Sequence, residues 1–97
     1  MSQRSRQPAV YILASARNGT LYTGVTSDII TRVWQHKNDL VHGFTQTCAV
    51  HLLDYCELLD DMLSAMTREK QVKAGSRARK IALIESMNPE WRDLYGD

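Results

Sequence analysis

A chain of 97 residues has material for one small hydrophobic core and not for two. Its 43% hydrophobic and 24% charged content excludes wholesale disorder, and no apolar run is long enough to span a bilayer. The polar segment from Met1 to Gln7 lacks a signal core, so the expected compartment is the cytoplasm, with no membrane partner.

Residues 1–8 read as a flexible basic tail ending at Pro8, and residues 9–97 as a single domain. Ala9 to Ala14 and Leu21 to Thr26 are β-rich runs joined through Asn18-Gly19, the strongest short hairpin signal. A two-residue turn there sets Leu13 opposite Gly24 and Tyr11 opposite Thr26. Alternation then puts Tyr11, Leu13, Tyr22 and Gly24 on one face, with the two tyrosines offset by about 13 Å along the strands.

Ser27 or Asp28 caps a helix carrying Ile29, Ile30, Val33 and Trp34 as far as about Asn38. Asp39 to Thr47 reads as a loop, and Val50 to Cys56 as a third strand. A longer helix from Asp60 shows an apolar stripe of Met62, Leu63, Ala65, Met66 and Val72 and stops near Gly75. Ser76 caps a third helix with Ile81, Ala82, Ile84 and Met87, ended by Pro89. Trp91, Leu94 and Tyr95 are available to fold back. The order β-β-α-β-α-α predicts an α+β domain, a small three-stranded antiparallel sheet flanked by helices.

Cys48 and Cys56 are too few for a disulfide framework or a four-ligand zinc site. In one extended segment they lie about 26 Å apart and read as free, partly buried thiols.

Charge is segregated rather than abundant. Arg68, Lys70, Lys73, Arg77, Arg79 and Lys80 follow an acidic stretch of Asp54, Glu57, Asp60 and Asp61, which can give a nearly neutral protein a basic face. Lys37, Lys70, Lys73, Arg77, Arg79 and Lys80 are the candidate nucleic-acid contacts; a solvated helical surface is the plainer reading.

Some polar groups stand where a plain core would not put them. Glu69 interrupts the stripe between Ala65 and Val72, and a carboxylate there is costly unless paired, protonated or bound to a cation. Arg32 is the obvious partner if it is an ion pair. Arg32 and His36 lie four apart on one helical face with Ile29. The tyrosines are either core-packing β-formers or members of the same site. Together these groups suit phosphodiester hydrolysis. A carboxylate holds a hard divalent ion, an arginine meets charge developing on phosphorus, and tyrosine and histidine position water or move protons.

In order and spacing, the residues Val10-Tyr11-Ile12-Leu13, Tyr22-Thr23-Gly24, Arg32 with His36, Thr67-Arg68-Glu69-Lys70 and the segment Ser76 to Ile84 resemble the GIY-YIG nuclease family, specifically its small single-domain bacterial members. The resemblance implies one Mg²⁺ or Mn²⁺ held by Glu69 and endonucleolytic cleavage of DNA, with repair or recombination as the setting. It also implies Tyr22 as general base or water-orienting group, Tyr11 in support at the phosphate, Arg32 stabilising the transition state and His36 assisting. The chain departs from the pattern at Ala9 and Val10, where the family's opening glycine stands, at Thr23, and at Val25, where many relatives carry lysine. Two other readings compete: a nucleic-acid-binding module that kept the fold with little chemistry, and a homodimeric scaffold whose exposed Trp91 and Tyr95 form an interface. The sequence leaves room for a protein partner and leaves the oligomeric state open.

Overall fold

The computed structural model describes residues 7–38, 40 and 50–96. Cys48, residues 1–6 of the expected tail and nearly all of the expected 39–47 loop lie outside them. Strands β1 (Ala9–Ala14), β2 (Leu21–Thr26) and β3 (Leu52–Leu58) form one antiparallel sheet in the order β2-β1-β3. Helix α1 (Ile29–Lys37) follows β2; α2 (Met62–Ala74) and α3 (Arg77–Met87) follow β3; a 3₁₀ turn at Leu94–Gly96 ends the described chain. The order is β-β-α-β-α-α, as the sequence predicts. Among the described residues no helix is long and apolar enough to cross a membrane.

Every residue of β1 is buried because the strand is central and both sheet faces are covered. Val10, Ile12 and Ala14 join Tyr55, Ala65, Val72, Ile84 and Trp91 on one face. Tyr11 and Leu13 join Val33, Val50 and Leu53 on the other. Each such aliphatic side chain contributes roughly 1.5–3 kcal/mol on leaving water.

The hairpin differs from the sequence expectation. The Ser15 N–H donates to Thr20 O at 3.0 Å and the Gly19 N–H to Ala16 O at 2.8 Å, so the loop holds four residues rather than two. A two-residue type I′ turn needs positive φ at both central positions, and only Asn18 has it, at 59°. Arg77 Nη2 reaches from α3 to donate to Asn18 O and Gly19 O at 2.7 Å each, bracing the wider loop. Tyr11 therefore faces Gly24 and Leu13 faces Tyr22, a slip of two residues. An even slip preserves the faces, so both tyrosines stay on one side while their offset falls to about 7 Å.

β3 begins and ends two residues later than predicted and carries a bulge. Ile12 pairs with Tyr55 and Leu13 with Leu53, leaving Asp54 as the extra residue. The bulge sends Leu53 and Tyr55 to opposite sheet faces, which regular alternation forbids. Asp54 is fully buried, and neither carboxylate oxygen has a hydrogen-bond partner among the described residues. Burial first, and then the nearby Asp93, push its carboxyl up to about 6 against the opposing pull of Lys37.

The predicted stripe of α2 is narrower than expected. Leu63 is 76% exposed and Met66 45%, and Met62 also faces solvent; only Ala65 and Val72 are buried. The inward arc is Ala65, Glu69 and Val72, spaced four and three apart, and the methionines fall beside it.

The C-terminal segment is tied down by polar groups. Asn88 is buried, and its amide donates to Asp54 O at 3.2 Å and Arg92 O at 2.7 Å while accepting from the Arg92 N–H at 2.9 Å. Trp91 is buried, with its indole N–H on Glu85 at 2.9 Å, so the expectation of an exposed Trp91 at an interface does not hold. Tyr95 is half-buried beneath the Lys37 ammonium. Gln7 and Pro8, read as the end of the tail, are bonded to Leu59.

Candidate active site

Asp28 caps α1 through Thr31, accepting from its N–H at 3.3 Å and its hydroxyl at 2.9 Å. That start lays Val33 and His36 against the β1–β2 face carrying Tyr11 and Tyr22. Three rings meet there. Centroids of Tyr11 and Tyr22 are 6.4 Å apart, Tyr11 and His36 5.8 Å, and Tyr22 and His36 5.4 Å.

Gly24 makes this possible. A Cβ at that position meets Tyr11 Cζ and its hydroxyl oxygen at 2.5 Å, so the phenol occupies the space a side chain would fill. The close approach that a strand glycine signals is made by the protein's own tyrosine.

The Tyr11 hydroxyl lies 3.2 Å from His36 Nε2. Arg32 lies near enough to the same phenol to favour its ionised form. His36 Nδ1 is buried without a partner among the described residues. Burial pushes the Tyr11 phenol up to about 12 despite Arg32, with Tyr22 and Glu69 adding to the rise. Burial, reinforced by Arg32 and His51, pulls His36 down to about 4. At neutral pH both are therefore uncharged.

Arg32 donates to Gln35 at 3.3 Å. Glu69 comes from α2, its side chain only 12% exposed, paired with Lys73 one turn on at 2.6 Å. The expected partner was Arg32; Lys73 takes that place because i,i+4 geometry brings it there locally, while Arg32 is turned to Tyr11. The Glu69 pair holds the Lys73 ammonium above its usual range, and Tyr22 adds to the rise.

Tyr11, Tyr22 and His36 are thus joined by ring contact, and Arg32 and Glu69 lie close enough to act electrostatically on Tyr11. Of the expected nucleic-acid contacts, Lys37 is bonded to Asp93 and to His51 O at 2.8 Å, and Arg77 holds the hairpin loop. Lys73 serves Glu69. Lys70, Arg79 and Lys80 pair with no carboxylate among the described residues. Cys56 is a free thiol whose pKa burial raises, remote in character from a nucleophile. Sequence reasoning named Lys73 as a nucleic-acid contact and missed its pairing with Glu69, for which the i,i+4 spacing was the available signal; it also missed the burial of Asp54, a lone carboxylate in an apolar strand.

Among the described residues no group of three His, Cys, Asp or Glu could hold a metal. Glu69 alone still fits Mg²⁺, which is commonly held by one or two carboxylates with water and substrate phosphate completing the shell.

Comparison with known proteins identifies the family. The model of the GIY-YIG catalytic domain matches residues 7–82. A UPF0213 protein of Staphylococcus saprophyticus is 35% identical over 75 residues, 77% of this chain and 90% of the relative. One from Halobacterium salinarum is 36% identical over 75 residues, 77% of this chain and 96% of the relative. The solution NMR structure of a UPF0213 protein from Bacillus halodurans superposes with a TM-score of 0.56 at 26% identity, covering 90% of this chain and 92% of that one. The matched span contains both tyrosines, Gly24, Arg32, His36 and Glu69 in the arrangement just described, and with it the chain belongs to the GIY-YIG family, a nuclease fold whose substrates are nucleic acids.

Proposed function

We propose that this protein is a metal-dependent endonuclease that hydrolyses DNA phosphodiester bonds, acting in the cytoplasm in repair or recombination. The observation that carries the reading is the convergence of Tyr11, Tyr22 and His36 around Gly24, with Arg32 beside the Tyr11 phenol and Glu69 at the edge.

The residues divide the work by their protonation. Tyr11 is a buried neutral phenol hydrogen-bonded to His36, so it positions and does not take a proton. Tyr22 is less buried and lies beside Lys73, which leaves it the tyrosine able to orient or deprotonate the attacking water. His36 stays neutral and holds the Tyr11 hydroxyl through that hydrogen bond. Arg32 presents fixed donors to the charge that builds on the phosphoryl oxygens. Glu69 is the residue to hold Mg²⁺ or Mn²⁺, which when bound supplies Lewis-acid polarisation of the phosphoryl oxygen. Water oriented by Tyr22 attacks phosphorus as the bond to the leaving oxygen breaks; the water's proton goes to solvent and the leaving oxygen takes one up from solvent.

The test is nicking of plasmid and branched DNA with Mg²⁺ or Mn²⁺. Arg32→Ala and Glu69→Ala are each expected to lower the rate by about 10²- to 10³-fold, the usual cost of losing one charge-stabilising group. Tyr22→Phe is expected to cost more than Tyr11→Phe. Cleavage that survives both the Arg32 and Glu69 substitutions overturns the site, and salt-sensitive DNA binding without turnover in any metal favours a binding module.

A further inference from the structure

On the side of α2 away from Lys73 lies a second feature that the nuclease reading does not use. A groove of about 330 Å³ opens between α2 and α3, with Val72, Gly75 and Leu83 on its floor and Arg68, Arg79 and Lys80 around it. No carboxylate is among the residues that line it. Arg68 is pre-set, its Nε donating to Glu57 at 2.9 Å, and Glu57 is fixed in turn by the Tyr55 hydroxyl at 2.8 Å. Arg79 and Lys80, in the first turns of α3, pair with no carboxylate among the described residues.

Helical geometry separates this groove from the active site. Around α2, Arg68, Gln71 and Gly75 fall on one flank of the inward Ala65–Glu69–Val72 arc, and Lys73 and Met66 fall on the other. Lys73 faces Tyr22, so the groove and the catalytic residues lie on opposite flanks of one helix.

We infer that the α2–α3 groove binds a single-stranded segment of the nucleic-acid substrate, its backbone on Arg79 and Lys80 and a sugar or unstacked base over Val72 and Leu83. The inference rests on the nucleic-acid reading above and adds a second contact to it. Three cations meet phosphate charge. The apolar floor distinguishes strand from duplex, because a duplex offers a shallow groove only phosphates and sugars. An unpaired strand can lay a base on an apolar surface or a guanidinium plane.

The test uses the full chain without metal, so that binding is read apart from cleavage. Fluorescence anisotropy measures the affinity of labelled oligothymidylate across salt concentrations, and ¹H–¹⁵N spectra map the contact. Arg79→Ala/Lys80→Ala places good helix formers at one exposed and one half-buried position, and its thermal midpoint checks the fold. Losing two phosphate contacts is expected to flatten the log–log salt slope by about 1.4, so the variant's deficit shrinks about sevenfold between 50 and 200 mM salt. Shifts at Gly75, Leu83 and Ser86 are expected with oligothymidylate. Shifts confined to β2 and Lys73, an unchanged affinity and slope in the variant, or no detectable binding at 50 mM salt each overturn the inference. So does an equal loss for a hairpin duplex, or equal binding of a polyglutamate peptide, which would make the groove a general polyanion surface. A protein that binds through the groove yet never cleaves sinks the nuclease reading and leaves this one; an active nuclease with a silent groove does the reverse.

Discussion

Gly24→Ala is the sharpest perturbation this fold offers, because it adds one methyl group where the Tyr11 phenol already sits. The new Cβ falls 2.5 Å from both Cζ and the hydroxyl oxygen and 3.0 Å from Cε1, against an ordinary contact of 3.4 Å or more. The ring must retreat by about 1 Å. It is 1% exposed and wedged between Tyr22 and His36, so it cannot swing clear. Overpacking of this kind costs about 1–3 kcal/mol, and stretching the 3.2 Å bond to His36 strands a second buried nitrogen beside the orphaned Nδ1. The expected total is about 2–4 kcal/mol, a large share of a small domain's stability. It is measurable as a lower urea midpoint at unchanged m. A displacement of this size should also lower kcat/KM for DNA cleavage about 10²-fold under conditions where the variant is folded. Tyr11→Phe should not rescue it, since Cζ is as close as the oxygen. Gly24→Ala/Tyr11→Leu removes the ring and should recover much of the stability and none of the activity. If Gly24→Ala is as stable as the parent within about 0.5 kcal/mol and equally active, the phenol is not held where this reasoning needs it.

Two further outcomes test the other buried charges. Unfolded aspartate loses its proton near 4 and Asp54 in the fold near 6, so between those values the unfolded state binds fewer protons and stability falls as pH rises. Asp54→Asn should therefore gain on the parent from pH 4 to 6.5, by at most about 3 kcal/mol; His36 titrates in both proteins and cancels, and parallel pH profiles would refute the assignment. Asp93→Ala leaves Lys37, the Leu53 N–H and the Tyr95 N–H without their shared acceptor. It should cost about 2–4 kcal/mol and speed amide exchange at Leu53 and Tyr95, and unchanged protection there would show the tail is held by apolar contact alone.

The elements were legible from the chain because their signals are local. Apolar runs of six residues, an Asp or Ser before each helix and Gly75 after the second placed β1, β2 and all three helices within a residue or two. Face parity in the hairpin survived a wrong turn, since a slip by two changes no side. Glu69 was legible as the one charge on an inward arc. What the chain could not reveal depended on distant parts. The four-residue loop is braced by Arg77 from α3, fifty-eight residues beyond Gly19. The bulge at Asp54 answers the need to send Leu53 and Tyr55 to different cores. Met62, Leu63 and Met66 have a helical apolar pattern, yet none of the described residues covers them.

The chain by itself therefore determined which side chains could form the site and on which faces they stand, because periodicity is a property of neighbours. Only the tertiary structure decided their surroundings. Burial beneath α1 holds the Tyr11 phenol protonated, and it is burial again that keeps His36 neutral. The pair of Glu69 with Lys73 is local to α2, but the burial of Glu69 comes from the packing of α2 beside β2, since desolvation exists only once distant segments meet.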